Sequence, residues 1–384
     1  MKYIVSIPIV VLASISSLLP ARAQAGDPPV PSTENTINDN TRIPYMAVYR
    51  WGLSGLNKGF YDKYPIWLNR TVIWAEDFEP TETWDNVEGG IWQLRPWSDW
   101  VQAKAGRRLI LSVQLLPGSW DGKGPKQGKD AGVPVSLEEG EKGAYNEHFR
   151  KLAENLVKYK LENTILRLGW EFNGGWYNYR AVNKESAFAG YWRQIVETMR
   201  AVPGAEKLQF CWNPTNNFVQ TDARKCWPGD EYVDYVGIDV YDQSWLEGTY
   251  PFPKDATPDE IRERQETAWK TWIYNEQRHG MAMWLAFAKE HKKPLSIPEW
   301  GVCNRKDGHG GMDNPYFIEQ MHAFITNPEN NVAFHCYFDV QAGDGHHQLV
   351  PDGDSKSEFP NTAARFKELF GLPAATTNNP TPQD

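Results

Sequence analysis

Two glutamates, Glu171 and Glu299, have the residue type and the setting for chemistry. Glu171 comes shortly after the apolar run 164–169, and Glu299 directly follows the run 294–298. Alternate side chains along a strand share a face, so Arg167 would lie on the same face as Glu171. If the two carboxyl groups meet, one protonated and one ionised, the first can donate a proton while the second acts as a nucleophile. The alternative for Glu171 is an ordinary strand-end glutamate in a salt bridge.

Eight short apolar runs, which end in polar or aromatic residues, set the positions of these glutamates. The runs are residues 45–49, 71–75, 109–115, 164–169, 207–212, 235–240, 294–298 and 332–338. Amphipathic segments with helical spacing lie among them, at 145–159, 187–199, 261–291, 316–325 and 362–370. Strands that alternate with helices predict a parallel sheet, and eight such units form a closed barrel. The predicted fold class is α/β, a single (β/α)8 TIM barrel over residues 44–371. A doubly wound open sheet is the alternative, but no Gly-x-Gly-x-x-Gly motif follows an early strand.

A barrel of this kind carries its functional residues at the carboxyl ends of its strands. Strands four and seven lie across the barrel from each other, so Glu171 and Glu299 can point into one pocket. Tyr241, after strand six, can donate its hydroxyl to Glu299, and Arg50 or Arg167 can favour an ionised carboxylate. The remaining candidates for contact with a substrate are strand-end or loop side chains: Arg50, Trp51, Trp74, Trp120, Trp170, Asn173, Trp176, Tyr177, Trp212, Asn213, Trp300 and Tyr337.

The chain is rich in aromatic residues, with 18 Trp, 17 Tyr and 16 Phe. Sugar rings present flat apolar faces that aromatic rings can stack against, although a Trp-rich core also explains many of these residues. Paired carboxyl groups beneath aromatic rings suit glycoside hydrolysis, in which one acid protonates the leaving oxygen and the other attacks the anomeric carbon. A separation of about 5–5.5 Å between the carboxyl groups predicts retention of anomeric configuration.

Three segments resemble glycoside hydrolase family 26. They are Arg-Leu-Gly-Trp-Glu-Phe-Asn-Gly-Gly-Trp-Tyr at 167–177, Tyr-Val-Gly-Ile-Asp-Val-Tyr-Asp at 235–242 and Pro-Glu-Trp-Gly at 298–301. The resemblance implies a (β/α)8 barrel in which Glu171 is the acid/base and Glu299 is the nucleophile. It also implies that Tyr241 orients the nucleophile and that Trp176 and Tyr177 line the cleft. β-Mannan is the substrate that the family most commonly implies.

The chain departs from the family pattern at two positions. Trp170 stands where the family usually carries a His before the acid/base, and Tyr337 stands where it commonly has a Trp that ends strand eight. The residues expected to contact the sugar therefore differ from those of the family. Another β-linked glycan or a bacterial exopolysaccharide is the alternative substrate. A carbohydrate-binding barrel without catalysis is the alternative from another class, but the presence of both glutamates favours an enzyme.

The ends of the chain predict export and a single catalytic domain. Residues 1–25 read as a signal peptide, with Lys2, an apolar run and Ala-Gln-Ala before the cleavage point, so a secreted or periplasmic protein is expected. An uncleaved anchor is the alternative. Residues 26–43 are predicted to be a linker or strap, and residues 372–384 a disordered tail. The net charge of −9 argues against nucleic-acid or anionic-membrane partners. The expected state is a monomer with a polysaccharide substrate and no cofactor.

Four cysteines and one His-His pair remain as possible cross-links or ligands. The cysteines show no Cys-x-x-Cys spacing, which argues against zinc. In an oxidising compartment we expect a Cys211–Cys226 disulfide, with free buried thiols as the alternative. The pair at 346–347 fits no calcium or zinc template, so a solvated loop is expected there. Asp239 and Asp242 are expected to be strand-end hydrogen-bond partners rather than ligands of a metal or of sugar hydroxyls. No metal site is predicted.

Overall fold

The computed structural model describes residues 44–70, 73–118, 123–217, 220–353 and 355–371. The predicted signal peptide (1–25), linker (26–43) and tail (372–384) lie outside these residues, as does Trp120. No helix in the described ranges is long and apolar enough to cross a membrane.

Eight parallel strands form a closed barrel. They are β1 Tyr45–Tyr49, β2 Trp74–Phe78, β3 Leu109–Val113, β4 Ile165–Leu168, β5 Gln209–Trp212, β6 Tyr235–Tyr241, β7 Leu295–Gly301 and β9 Val332–Phe338. Each strand pairs with the next, and β9 closes the barrel against β1. Two further strands, β8 Asn304–Arg305 and β10 Gly345–His346, pair antiparallel outside the barrel. The predicted (β/α)8 fold is therefore confirmed.

Helices cover the outside of the barrel. They are α1 Gly52–Asn57, α2 Phe60–Leu68, α3 Trp84–Val87, α4 Ile91–Gln102, α5 Leu137–Glu141, α6 Asn146–Lys158, α7 Glu185–Arg200, α8 Pro258–Ala268, α9 Met281–Glu290, α10 Pro315–Thr326 and α11 Pro360–Phe370. The predicted segment 261–291 divides into two helices, α8 and α9. Helix α8 begins at a capping box between Thr257 and Glu260, with a proline in its first turn. A helix such as α6 forms because its apolar residues Phe149, Leu152 and Leu156 share the face that packs on the barrel.

The amino end of the barrel is closed by aromatic side chains. Tyr45 stacks on Trp74 with 4.3 Å between ring centroids, and Phe334 lies 5.9 Å from Trp74 and 5.3 Å from Tyr235. The Trp74 indole donates to the Gly106 carbonyl oxygen at 3.0 Å. The predicted bounds of the second strand, 71–75, are thus wrong, because the strand spans Trp74–Phe78. The strand runs on through buried acidic residues, so Trp74 begins it and lies at the end of the barrel opposite to the one predicted.

The predicted Cys211–Cys226 disulfide is wrong, because all four cysteines are free and buried. Cys211 points into the barrel, where its sulfur lies 3.4 Å from the Ser296 hydroxyl oxygen. Cys226 ends a short 3₁₀ helix, Ala223–Cys226, that contacts α7 outside the barrel. A strand therefore separates the two thiols, which the short spacing along the chain could not reveal.

Candidate active site

Glu171 lies just beyond the carboxyl end of β4, in a strained backbone conformation. Its φ angle is 51°, in the left-handed region that non-glycine residues rarely adopt, and the preceding Gly169 also has a positive φ of 53°. The Glu171 amide donates to the Asn213 carbonyl oxygen at 2.7 Å, which ties the turn to the end of β5. A side chain at Gly169 would collide with Leu115. The glycine thus lets the chain turn sharply enough to aim Glu171 at the pocket, a use of strain that is typical of functional sites.

The surroundings of Glu171 favour its neutral form near neutral pH. Glu171 is half-buried, and the Trp176 indole N–H, which donates to its Oε2 at 2.8 Å, acts in the opposite direction by favouring the ionised form. Burial, followed by the charge of Glu299, raises the pKa of Glu171 to about 7, against an opposing effect of Arg167. A carboxylic acid of this kind can give up a proton at physiological pH, as a general acid must.

Glu299 lies on β7 with hydrogen-bond donors on both oxygens. The Tyr241 hydroxyl donates to Oε2 at 2.6 Å, and Nη1 of Arg167 lies 2.5 Å from Oε1. Only 6% of the residue is exposed, and its neighbour across the ladder is Asp239 on β6. Two strong donors stabilise a negative charge on Glu299, as a nucleophilic carboxylate requires. The two glutamates therefore have opposite surroundings.

Arg167 joins four strands beneath this pair. The side chain is fully buried, and Nε donates to Asn213 Oδ1 at 2.8 Å. Nη1 contacts Glu76 Oε1 at 3.0 Å as well as Glu299, and Nη2 pairs with Asp239. The neighbouring acids keep the guanidinium charged by raising the pKa of Arg167 well above its ordinary value, against the opposing effect of burial. Arg167 points into the barrel below Glu171, and its direct ion pairs are with Glu76, Asp239 and Glu299.

Aromatic side chains line the pocket around the carboxyl groups. Tyr49 stacks on Phe338 at 4.9 Å and contacts Phe78 at 4.8 Å, while Tyr241 lies 5.9 Å from Phe338. The sequence reasoning did not select Tyr49, Phe78 and Phe338 as site residues. It placed the buried Glu76 after the second strand but did not select it either. The period-two alternation of strands could have found them, because Phe78 lies two residues from Glu76 on the inward face.

Three predicted lining residues face the helices instead of the pocket. Trp212, Trp300 and Tyr337 are fully buried. Trp212 packs on Phe287 at 5.6 Å, while Trp300 packs on Phe366 at 5.8 Å and Tyr337 contacts the same ring at 4.9 Å. The prediction that they line the cleft is corrected, because each lies one residue from an inward-facing side chain and so points outward. On the eighth barrel strand, β9, the last residue that faces the pocket is Phe338 and not Tyr337.

Arg50 and Asn173 hold loops in place rather than facing a pocket. Arg50 Nη1 contacts Asp339 Oδ2 at 2.5 Å and donates to the Val350 carbonyl at 3.0 Å, and Nη2 pairs with Asp352 at 2.6 Å. Asn173 exchanges two hydrogen bonds with the backbone of Thr215, at 2.9 and 3.1 Å. Both side chains are buried with their polar groups bonded to protein, so their predicted place among the substrate contacts is corrected.

The other predicted contacts lie at or near the carboxyl ends of the strands. Trp176, 38% exposed, and Trp51, 48% exposed, are partly open to solvent. Trp170 is buried, its ring lies 5.1 Å from Phe78, and its N–H donates to the Tyr177 hydroxyl at 2.7 Å. Its indole proton is thus already engaged within the protein, unlike that of a residue poised to donate to a sugar.

Asp242 and His347 have structural partners rather than a metal. Asp242 accepts hydrogen bonds at 2.8 Å from both Tyr250 and Asn314, as expected of a strand-end partner. His347 is buried, shares a hydrogen bond of 2.8 Å with the Val302 carbonyl and lies 4.6 Å from the Tyr241 ring. The expected solvated loop is therefore wrong for His347. Within the described ranges, no three His, Cys, Asp or Glu side chains are grouped to hold a metal ion.

Comparisons with known proteins show similarity to glycosyl hydrolase family 26. A model of glycosyl hydrolase family 26 matches residues 129–253. A mannan endo-1,4-beta-mannosidase of Bifidobacterium adolescentis is 24% identical over 243 residues, which cover 59% of this chain and 22% of that protein. The chain thus spans about a fifth of that relative's length.

Solved structures support the same fold. The catalytic domain of the GH26 endo-beta-1,4-mannanase of Bacillus sp. JAMB-750 superposes with a TM-score of 0.51 at 16% identity, over 86% of this chain and 87% of that chain. GH26C from Muricauda sp. MAR_2010_75 gives 0.50 at 15% identity, over 78% and 77%. These structures show the fold, and the predicted resemblance to glycoside hydrolase family 26 is confirmed by the family model, whose match includes the segments 167–177 and 235–242.

Proposed function

We propose that this chain is a secreted, retaining, endo-acting β-glycoside hydrolase that cleaves a polysaccharide, with β-mannan as the first candidate. The family 26 match and the mannan endo-1,4-beta-mannosidase relative support a glycoside hydrolase of this class. The observation that carries the proposal is the unequal setting of the two carboxyl groups. Burial and a neighbouring charge favour the neutral form of Glu171, while two donors hold the charge on Glu299.

In the proposed mechanism, Glu299 attacks the anomeric carbon while Glu171 protonates the departing glycosidic oxygen. The product of this step is a glycosyl ester on Glu299, and Glu171 is now ionised. Glu171 then accepts a proton from water, which attacks the anomeric carbon and releases Glu299. Tyr241 and Arg167 hold Glu299 in place, since each donates to a different oxygen of its carboxylate.

The experiment is a polysaccharide panel assayed with the mature protein and with Glu171→Ala and Glu299→Ala. Mannans, glucans, xylans and bacterial exopolysaccharides are incubated with each protein, and reducing ends and product sizes are recorded. Short oligosaccharides that appear early from a mannan, and that vanish in both variants, are the expected result. A wild-type protein that binds a polysaccharide but releases no reducing ends is a binding barrel and contradicts the proposal.

The stereochemical course and the two roles are tested separately. Proton NMR of the first product should show the β-anomer before mutarotation. With an activated aryl β-glycoside, azide should rescue Glu299→Ala as an α-glycosyl azide and Glu171→Ala as a β-glycosyl azide, because azide replaces the nucleophile in one case and the water in the other. An initial α-product, or rescue with the opposite anomers, would overturn the assignment.

Hydrolysis of another β-linked glycan is the second candidate, and Trp170 is the observation that favours it. In place of the His that the family usually carries, the chain has an indole whose N–H is bonded to Tyr177. A site without that polar contact recognises the sugar differently. Release of products from a glucan or an exopolysaccharide, but not from mannan, in the same panel would select this alternative.

A further inference from the structure

Four carboxyl groups share a single cation inside the barrel. Glu76, Glu171, Asp239 and Glu299 surround Arg167, and three of them contact its guanidinium directly. Among the described residues, Arg167 is the one cation in contact with the group. Full ionisation would place three uncompensated negative charges in a buried space, which costs several kcal/mol per charge. Some of these acids must therefore hold protons.

The hydrogen bonds show where negative charge is best supported. Glu299 receives donors on both oxygens, from Tyr241 and from Arg167. Glu76 receives Arg167 and the Ser112 hydroxyl on Oε1 alone, at 3.0 and 2.9 Å. Its other oxygen, Oε2, is buried and meets no N–H or O–H donor, and the weak thiol donor Cys336 is the further group beside this carboxyl. A carboxylate oxygen without a donor in a buried site is costly, so Glu76 is the poorer place for a charge.

The same nitrogen of Arg167 serves Glu76 and Glu299. Nη1 lies 3.0 Å from Glu76 Oε1 and 2.5 Å from Glu299 Oε1, whereas Asp239 pairs with Nη2. An ionised Glu76 would compete with the nucleophile for this nitrogen. A neutral Glu76 accepts a hydrogen bond from Nη1 through its carbonyl oxygen. Glu299 is then the only carboxylate that forms an ion pair with this nitrogen.

From this arrangement we propose that Glu76 is a positioning residue that works as a neutral carboxylic acid, holding Arg167 against the nucleophile Glu299. The proposal rests on the assignment of Glu299 under the proposed function. Glu76 touches neither the scissile bond nor the sugar in this scheme, and its effect passes through the guanidinium. Ionisation of Glu76 at high pH then weakens the contact between Arg167 and Glu299.

The surrounding charges agree with this assignment. Burial, opposed by Arg167 and reinforced by the charge of Glu299, raises the pKa of Glu76 to about 7. The titratable and charged groups that face Glu76 come from six other strands: Tyr49 on β1, Arg167 on β4, Cys211 on β5, Asp239 on β6, Glu299 on β7 and Cys336 on β9. Tyr49, Asp239 and Glu299 disfavour a charge on Glu76 when they are ionised, whereas Arg167 and the hydrogen bonds from Ser112 and the Cys336 thiol favour it.

The kinetic test removes the titration of Glu171 first. In a Glu171→Gln background, kcat/KM for 2,4-dinitrophenyl β-mannobioside is measured from pH 5 to 9, because this leaving group departs without a general acid. We expect Glu76→Ala to lower kcat/KM at least tenfold and Glu76→Gln, the neutral isostere, to restore most of that loss. Glu76→Gln should also move the alkaline fall in activity to higher pH. A folded Glu76→Gln variant as inactive as Glu76→Ala at every pH would show that the charge is needed and would overturn the proposal.

A second measurement does not depend on turnover. At pH 6, the infrared spectrum of wild type minus that of Glu76→Gln should contain the C=O band of a neutral carboxyl group. The spectrum of wild type minus that of the exposed control Glu263→Gln should instead contain carboxylate bands. Carboxylate bands for Glu76 as well would overturn the inference. If the wild-type protein cleaves no substrate but the neutral band is present, the hydrolase proposal fails while the protonation of Glu76 stands.

Discussion

The inner and outer faces of the barrel strands differ in chemistry although their residues alternate along the same short segments. On β7, Glu299 faces the pocket and contacts Arg167, while the next residue, Trp300, is buried against Phe366 and Phe370 in the helix layer. On β9 the same contrast holds for Phe338 and Tyr337. The inner face at the carboxyl end carries charge and open aromatic rings, and the outer face carries packing. Function and stability are thus separated by one residue in the sequence.

The largest expected effect lies on the pocket side, at Glu171. Glu171→Gln should lower kcat on an unactivated polysaccharide by about 10²–10⁴-fold, since it removes the proposed general acid. Because the pKa of Glu171 is raised to about 7 and the acid acts when protonated, wild-type kcat should fall as pH rises through about 7. The measurement is kcat against pH for wild type and variant, with Tm recorded for both. An unchanged alkaline limb in the variant would contradict the assignment.

A matched pair on β7 and β9 tests the contrast between the faces directly. Trp300→Ala should cost about 3–5 kcal/mol of stability, because it leaves a cavity in the helix layer. Phe338→Ala should lower stability less, since Phe338 is half-buried, but should raise KM or lower kcat. Urea unfolding and initial rates at a temperature where both variants are folded provide the measurements. For each variant, the loss of activity is divided by the loss of unfolding free energy. If this ratio is the same for Trp300→Ala and Phe338→Ala, the two faces do not differ in function.

A smaller effect is expected from Trp176, which joins an exposed ring to the acid. Its N–H bond lowers the pKa of Glu171, so Trp176→Phe should move the alkaline limb of kcat to higher pH while the aromatic face is kept. Trp92→Phe, also partly exposed, is the matched control and should leave the limb in place. The measurement is kcat against pH for wild type, Trp176→Phe and Trp92→Phe. An alkaline limb at the same pH in Trp176→Phe as in wild type would contradict the prediction.

The smallest effect concerns Glu79, an acid buried just beyond β2 with no hydrogen-bond partner on either oxygen. Burial, with a contribution from Asp77, raises its pKa well above the ordinary value. Below about pH 4, near the unfolded pKa, folded and unfolded chains are both protonated. At higher pH only the unfolded chain ionises, so stability falls as pH rises.

The difference in Tm between Glu79→Gln and wild type should therefore grow in favour of the variant between pH 4 and pH 8. Differential scanning calorimetry across that range measures it. The exposed Glu263→Gln serves as the control, with a smaller change over the same range. A Tm difference for Glu79→Gln that is independent of pH would show that Glu79 ionises equally in both states.

Much of the fold followed from patterns that act locally. The apolar runs at 45–49 and 332–338 match strands β1 and β9 residue for residue, because a strand buried on both faces has a continuous apolar signal. The predicted run at 71–75 overlaps β2 only at 74–75, since that strand consists of Trp-Ala-Glu-Asp-Phe. The run stopped before the two acids, although Arg167, which comes from another strand 91 residues away, partners Glu76 inside the barrel.

The sequence alone determined the closed barrel and the two glutamates at the carboxyl ends of strands four and seven, because strand order and residue type are local properties. It also determined the Tyr241 partner, since a hydroxyl at the end of strand six has a carboxylate as its neighbour in a parallel barrel. Only the tertiary structure decided which aromatic rings face the pocket, which arginine contacts Glu299 and whether the cysteines pair. Those outcomes depend on strand register and on contacts between distant segments, and a shift of one residue turns a pocket side chain into a packing one.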